Sequence, residues 1–151
     1  LDILESRVEY LIHLRQKFIK EYQKSLRIES NPDIITNLDE KLLNRILELI
    51  NKHLSDAEFS VNQLSKELGV SRVHLYKKTM SLTGKTPIEL IRLVRLRKAA
   101  DLLAAGQLTI SEISYDVGFG DPRYFSKQFK NEFGVLPSRY KEQQNEEEAK
   151  G

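Results

Sequence analysis

An internal repeat limits the folds open to this chain more than any other feature of the sequence. Residues 60–71 align with residues 109–121 at an offset of 49, which holds as far as the paired glycines Gly69 and Gly118. One extra residue then enters the second copy and the offset becomes 50. The later pairs include Leu75 with Phe125, Gly84 with Gly134 and Pro87 with Pro137. A period of about 50 residues indicates that one supersecondary unit is built twice.

Both copies follow the same local pattern. A short amphipathic segment carries apolar residues at its first, fourth and eighth positions, which is helical spacing. These residues are Val61, Leu64 and Leu68 in the first copy and Ile110, Ile113 and Val117 in the second. A glycine suited to a left-handed turn comes next, then one apolar residue, then a capping residue, Ser71 or Asp121, that opens another helix. This order predicts two helix-turn-helix units.

The two units are joined by a predicted helix of about 19 residues. Thr86-Pro87 marks its start, because proline is favoured at the first helical position, and Gly106 marks its end. Asp39 is predicted to cap an earlier helix that ends near residues 55–56. No segment alternates with period two as a half-buried strand does. The fold class predicted is therefore all-α: two helix-turn-helix subdomains joined by a long central helix, with an N-terminal helical extension.

The same patterns divide the chain into three parts. Residues 1–38 are predicted to be an extension or linker, with an amphipathic helix over 1–28 that is interrupted near Pro32. Residues 39–144 form the domain, and residues 145–151 are predicted to be a frayed polar tail. Within the domain, the first helix-turn-helix covers about 60–84, the connecting helix about 87–105 and the second helix-turn-helix about 109–134.

Charge is segregated along the chain, although the whole carries a net charge of only +2. Residues 60–144 contain 14 Lys and Arg against 8 Asp and Glu, a net charge of +6, while residues 1–59 and 145–151 each carry −2. Acidic residues are missing between Arg72 and Thr83 and between Pro122 and Asn131. Because solvated faces normally mix both signs, this distribution favours double-stranded DNA as the partner. The alternative is a helical protein-interaction or dimerisation module.

Other functional classes find no support in the sequence. With no cysteine, the chain has no disulfide, no thiol nucleophile and no Cys-based zinc site. The three histidines, His13, His53 and His74, lack metal-ligand spacing, and neither a nucleophile elbow nor a phosphate loop is present. No apolar run approaches the roughly 18 residues of a membrane span. We therefore expect a cytoplasmic fragment with no enzyme activity, metal, cofactor or membrane contact.

Residues 39 to about 142 resemble the DNA-binding domain of the AraC/XylS family of bacterial transcription regulators. The segments that carry it are Arg97-Lys98-Ala99-Ala100-Asp101-Leu102-Leu103, Ile110-Ser111-Glu112-Ile113, residues 118–130 from Gly118-Phe119-Gly120 to Lys130, and Phe133-Gly134-Val135-Leu136-Pro137-Ser138-Arg139-Tyr140. Two residues depart from the family pattern. Ser114 stands where alanine is usual, and Thr79 where a bulky apolar residue is common. For Thr79 we expect either looser core packing in the first copy or compensation by Met80 and Leu82.

The resemblance implies that residues 71–82 and 121–133 are recognition helices entering successive major-groove segments. A 19-residue connecting helix is about 28 Å long, comparable with the roughly 34 Å of one DNA turn. The side chains expected to read bases share one face of each helix: Val73, Tyr76 and Lys77, and Arg123, Tyr124 and Lys127. For Tyr76 a partly buried aromatic role is the alternative. Those expected to contact phosphates are Ser71, Arg72, His74, Lys78, Lys85, Lys130 and Arg139. For all of these except Ser71, a solvated surface charge is the alternative.

The front of the chain is similar to a subgroup of this family. Residues 37–43 and 71–78 look like the C-terminal domain of Bacteroidetes hybrid two-component regulators, in which a sensor, a histidine kinase and a receiver precede this domain. That similarity implies kinase activity elsewhere in a longer, membrane-anchored protein, with residues 1–38 following the receiver and RNA polymerase as a further partner. The heptad-like stripe of residues 1–28 predicts that this segment pairs two chains as a homodimer.

Overall fold

The computed structural model describes residues 32–150, which form seven α-helices and no strand. The all-α prediction is confirmed, while the helix predicted over residues 1–28 lies outside the described residues. The helices are α1 (Pro32–Lys52), α2 (Val61–Leu68), α3 (Arg72–Thr83), α4 (Pro87–Ala105), α5 (Ile110–Asp116), α6 (Pro122–Phe133) and α7 (Pro137–Lys150). Within these residues, none of the helices combines the length and the apolar character that a membrane crossing requires.

The described residues divide into two compact units, and each contains one helix-turn-helix. Residues 32–52 and 59–91 form the first unit, and residues 53–58 and 92–150 form the second. The boundary falls within α4, whose first residues belong to the first unit and whose remainder belongs to the second. The two predicted helix-turn-helix subdomains are therefore present, with α2 and α3 in one and α5 and α6 in the other.

The first unit is built around the apolar side of α1. Leu43, Ile46 and Ile50 from α1 are almost completely buried, together with Leu64 of α2 and Leu75 of α3. The prediction that Asp39 caps this helix is wrong, because α1 begins at Pro32 and Asp39 lies inside it. Proline fits the first turn of a helix, where its missing N–H costs nothing, so Pro32 is a suitable first residue for α1. That it also ends the helix predicted over residues 1–28 stays a prediction.

The second unit has an aromatic core. Phe125 and Phe129 of α6 are fully buried and their rings are 5.8 Å apart, measured between centroids. Tyr140 of α7 packs edge-on against Phe129 at 5.5 Å. The tail predicted to fray from residue 145 is different in the structure, where α7 continues to Lys150. No glycine or proline interrupts this segment before the chain end, and its Glu, Gln, Ala and Lys residues are good helix formers.

The two helix-turn-helix turns have the same backbone hydrogen bonds, as their repeated sequence predicts. Gly69 and Gly118 adopt positive φ angles of 70° and 86°. After each glycine, the amide of the next residue donates back into the preceding helix, Val70 N to Ser65 O at 3.1 Å and Phe119 N to Ser114 O at 2.8 Å. These bonds satisfy carbonyls that the helix end would otherwise leave free. The turn angle of each unit is therefore set by the backbone.

The caps of the two recognition helices are as predicted. The Ser71 hydroxyl accepts a hydrogen bond from the His74 amide at 3.1 Å, and the Asp121 carboxylate accepts one from the Arg123 amide at 2.9 Å. Pro122 occupies the first position of α6. Each cap fixes where its helix begins, and this determines which side chains the helix presents to solvent.

Candidate nucleic-acid interface

The solvent-facing side of α3 combines apolar residues with one charge. Val73 is 65% exposed and Tyr76 50% exposed, and Lys77 is exposed beside them. Leu75 occupies the opposite, buried side. The three residues predicted to read bases from this helix therefore share an accessible face. The other half of the Tyr76 surface is covered by the protein, so the alternative role as a partly buried aromatic stays open.

The solvent-facing side of α6 is cationic. Arg123 and Lys127 are exposed one turn apart, while Phe125 and Phe129 hold the helix to its core. Tyr124 is 46% exposed, and its ring centroid lies 5.9 Å from that of Phe119, the residue that fills the turn. The turn thus supports the Tyr124 ring on one side, and nearly half of the residue stays exposed to a partner.

The residues predicted to contact phosphates occupy several kinds of environment. Arg72, His74 and Lys130 are exposed, Lys85 is half-buried, and Ser71 uses its hydroxyl oxygen as the α3 cap. Arg139 pairs with Glu142 at 3.2 Å on the surface of α7, where both side chains are more than half exposed. An exposed ion pair of this kind contributes little to the free energy of folding, so Arg139 can readily exchange Glu142 for another anion. These positions all remain compatible with phosphate contact.

Lys78 differs from the other predicted phosphate contacts. Its ammonium Nζ donates to Asp39 Oδ1 of α1 at 3.1 Å, and the Asp39 side chain is only 7% exposed. The second oxygen, Asp39 Oδ2, is buried without a hydrogen-bond partner. The charge of Lys78 is therefore largely balanced within the protein. Sequence reasoning missed this pair because its members are 39 residues apart and belong to different local patterns.

Met80 lies only partly at the surface. It is 38% exposed, so most of its surface is covered by the protein, and Leu82 is fully buried, as compensation for Thr79 would require. Thr79 is itself buried and donates its hydroxyl to Leu75 O at 2.6 Å, so its polar atom is satisfied inside the helix. The spacing of Met80 from Val73 and Tyr76, seven and four residues, was the signal that places it on the exposed face.

A metal centre has no basis in the part of the chain that the structure describes. Across residues 32–150, His, Asp and Glu side chains do not gather into a group of three or more that could hold a metal ion. The remaining chemistry of the outer faces is hydrogen-bond donation, positive charge and apolar contact. Those are the interactions through which helices recognise a duplex.

Comparison with known proteins identifies the family. Residues 64–143, which are 80 of the 151, match a family model described as a helix-turn-helix domain. The solved C-terminal domain of AraT, a response regulator from Geobacillus stearothermophilus, is 34% identical and superposes with a TM-score of 0.62, covering 66% of this chain and 83% of that one. The chain belongs to the AraC-type helix-turn-helix family. It is a DNA-binding domain of a transcription regulator.

Two further proteins extend the comparison of this AraC-type domain. A protein of Formosa agariphila named histidine kinase P4 is 35% identical over 141 residues, which are 93% of this chain but 10% of that protein. The DNA-binding domain of AdpA, solved with a target DNA, shares the fold at a TM-score of 0.66 and 24% identity, over 72% of this chain and 97% of that one. The chain spans from about a tenth to under half of the first curated relatives that it matches.

Proposed function

We propose that this AraC-type domain binds double-stranded DNA sequence-specifically, with α3 and α6 each entering a major-groove segment. The observation that carries the proposal is the pair of exposed outer faces, both free of acidic residues from Arg72 to Thr83 and from Pro122 to Asn131. A duplex is a dense line of negative charge, so a face without carboxylates approaches it without repulsion.

The proposed roles follow from the chemistry of each exposed side chain. The guanidinium of Arg123 donates two parallel hydrogen bonds to guanine O6 and N7, and Lys127 one turn later donates to a neighbouring base. Val73 lies against a thymine methyl, while Tyr76 and Lys77 offer a hydroxyl and an ammonium. Tyr124, supported by the Phe119 ring, contributes an edge contact. The exposed cations Arg72 and Lys130, together with His74, contact phosphates and set the register.

Substitution of the α6 residues tests base reading. Arg123→Ala and Lys127→Ala should each weaken binding to a selected cognate duplex by about 1–3 kcal/mol and relax specificity at the neighbouring base pairs. Fluorescence anisotropy on the cognate duplex and on a random duplex of equal length measures both quantities. Equal losses on the two duplexes would show that these residues contact only the backbone.

The alternative function, a protein-interaction or dimerisation module, predicts a different outcome. If this alternative holds, selection of bound duplexes from a random pool by mobility shift would enrich no sequence motif, and footprinting would show no protected site. A retained motif protected by the wild-type protein supports DNA reading and counts against the alternative. The exposed lysines of the outer faces, Lys77, Lys127 and Lys130, favour DNA, since interfaces between proteins are depleted in lysine.

We also propose that the domain is the output of a longer signalling protein, of the hybrid two-component type. The 93% coverage of this chain by a protein named as a histidine kinase supports that context, as does the likeness to a response regulator domain. In this arrangement residues 1–38 follow a receiver, the kinase activity lies elsewhere in the polypeptide, and the output domain is cytoplasmic with the whole protein anchored in the inner membrane. Autophosphorylation of the full-length protein with labelled ATP tests the kinase; no incorporation would contradict it.

Pairing of two chains through residues 1–28 remains part of this proposal, as does contact with RNA polymerase. Sedimentation of the chain with and without residues 1–31 tests the pairing, and the cut is best made there because α1 begins at Pro32. A monomer at high concentration in both cases would reduce the segment to a linker. Retention of purified RNA polymerase on promoter DNA with and without the domain tests the second contact.

A further inference from the structure

The two recognition helices present different chemistry at equivalent positions. Because the repeat offset is 50 beyond the turn, each outer position of α3 has a counterpart on α6. Four of these pairs lie along the face that carries Val73: Val73 with Arg123, Tyr76 with Ser126, Lys77 with Lys127, and Met80 with Lys130. Only the Lys77 and Lys127 pair keeps its chemistry. At these four positions α3 is mainly apolar, while α6 carries three cations.

The apolar residues of α3 form one continuous face. At 100° per residue, Val73, Tyr76 and Met80 fall within about 60° of one another, and Lys77 lies about 40° beyond Val73. Val73 is 65% exposed, Tyr76 50% and Met80 38%. The helix thus presents a stripe of three large side chains to solvent over two turns.

The fully buried side of α3 is formed by residues outside this stripe. Leu75 and Leu82 are completely buried, and Thr79 is buried with its hydroxyl bonded to the Leu75 carbonyl. Val73, Tyr76 and Met80 each keep more than a third of their surface exposed. Exposed apolar area on a recognition helix becomes favourable only when a partner covers it.

The major groove offers one apolar feature to cover such a stripe. Each base pair presents hydrogen-bonding groups there, and thymine alone adds a methyl group at C5. Methionine, with a flexible and polarisable side chain, adapts to the irregular surface that a methyl leaves between bases. The counterpart Lys130 carries a charge at the same position of α6 and offers no apolar contact of this kind.

We propose that Met80 is a further specificity-determining residue, which with Val73 makes α3 read thymine methyl groups while α6 reads guanine. The proposal rests on DNA binding as proposed above and adds the base class that each helix selects. The two segments of the binding site then differ in kind: the segment under α3 is rich in A·T pairs, and the segment under α6 contains guanine contacted by Arg123.

The experiment first assigns each segment to its helix. The chain has no cysteine, so a single one can be introduced and coupled to an iron chelate that cleaves nearby DNA. Ser81→Cys on α3 and Asn131→Cys on α6 are matched sites, because both are exposed and they are equivalent in the repeat. The cleavage pattern on the selected duplex locates the two segments.

The second step removes single methyl groups from the DNA. Deoxyuridine replaces thymine in one segment at a time, which deletes the C5 methyl and leaves base pairing intact. With the wild-type chain, we expect a loss of about three- to fivefold in affinity per contacted methyl under α3, and no loss under α6. Replacement of guanine by 7-deazaguanine, which lacks N7, should weaken binding about fivefold or more under α6 only.

A coupled substitution links the effect to Met80. On the thymine duplex, Met80→Ala should bind three- to fivefold more weakly than the wild-type chain. On the duplex in which the contacted thymine is replaced by deoxyuridine, the two chains should bind with equal affinity. Ile88→Ala removes an apolar side chain of α4 that is 59% exposed and serves as the control, with affinity unchanged on either duplex. Circular dichroism checks that both variants keep their helices.

The outcomes separate this inference from the proposed function. If the wild type selects a motif but deoxyuridine under α3 has no effect, the methyl-reading role is wrong and sequence-specific binding stands. If Met80→Ala loses equally on thymine and deoxyuridine duplexes, Met80 does not contact the methyl and the inference is also wrong. If the wild type selects no motif, the proposed function itself fails, and this inference with it.

Discussion

The ion pair between Asp39 and Lys78 places most of its desolvation cost on the carboxylate. Asp39 is buried and one of its oxygens has no partner, whereas the Lys78 side chain is 30% exposed. Lys78→Met should leave an unpaired buried carboxylate and destabilise the protein by about 2–3 kcal/mol, below the range for fully buried pairs because Lys78 is partly solvated. Urea denaturation measures this. The double variant with Asp39→Leu should recover most of the loss, and a double variant as unstable as the single one would contradict the assignment.

Gly118 is the turn residue whose surroundings exclude a side chain. Its φ is +86°, and a Cβ there would collide with the Arg95 guanidinium and with the Leu54 carbonyl oxygen. Arg95 is held by hydrogen bonds to the Asp56 and Gly118 carbonyl oxygens, and the Leu54 oxygen belongs to the backbone. We expect Gly118→Ala to cost about 2–5 kcal/mol, from the left-handed backbone together with overpacking.

Gly69 supplies the matched control for that substitution. It occupies the equivalent turn with a φ of +70°, but nothing lies within 4 Å of the position that a Cβ would take. Gly69→Ala should therefore cost only the left-handed term of about 1–2 kcal/mol. Thermal denaturation of the two variants compares them, and equal losses would mean that the Arg95 contact yields without cost.

Single residues show where sequence reasoning succeeds and where it stops. Ser71 and Asp121 were predicted as caps because capping depends on neighbours two or three positions away, and both are confirmed. Asp39 has the same capping character, yet it bonds to Lys78, 39 residues later. Local chemistry allows both outcomes for an aspartate, and only the packing of α1 against α3 selects one.

At the scale of helices, α5 has an N-terminus of unusual strength. Thr109 and Glu112 form a capping box: the Thr109 hydroxyl accepts from the Glu112 amide at 3.1 Å, and the Glu112 carboxylate accepts from the Thr109 amide at 3.1 Å. The backbone bond from Thr109 is the main cause that lowers the pKa of Glu112, with its side-chain bond second. In α2, which is the counterpart of α5 in the first copy, Gln63 occupies the position equivalent to Glu112.

This capping box predicts a pH-dependent contribution to stability. Since the pKa of Glu112 is lower in the folded state than in the unfolded chain, its stabilisation is present above the ordinary glutamate value of about 4.3 and is lost as pH falls through the lowered folded value. Glu112→Gln should remove that part of the acid dependence, measured by urea denaturation across the acid range. Glu132→Gln makes an equal charge change at an exposed residue, so this control variant should keep that part of the acid dependence. Identical acid curves for wild type and Glu112→Gln would refute the role.

Among the helices, α2 to α6 could be predicted from sequence and α1 could not be placed fully. The repeat fixes the bounds of two pairs of helices, since glycine turns and caps recur at equivalent positions. At the start of α1, Ser30-Asn31-Pro32 fits either a break or a proline-initiated helix, because proline is disfavoured only beyond the first turn. The differing outer faces of α3 and α6 were also visible in the sequence, where the spacing of Met80 from Val73 and Tyr76 places it on the same side of α3.

For the molecule as a whole, the distribution of charge matters more than its total. Binding to a duplex releases counterions from each phosphate that a cation neutralises, so affinity depends on the cations at the interface and not on the net charge of +2. The slope of log affinity against log salt concentration is about −0.9 for each phosphate contact. This slope counts the cations that face the DNA, and it can be measured without knowledge of their geometry.

Two lysine substitutions of equal charge test this count. Lys130→Gln removes an exposed cation of the α6 face and should reduce the magnitude of the salt slope by about 1 on any duplex. Lys41→Gln removes an exposed cation of α1, outside the proposed interface, and should leave the slope unchanged. Both variants have the same net charge, so a general field effect predicts equal changes while local contact predicts different ones. Equal slopes for the two variants would contradict the proposal that the α6 face contacts the DNA.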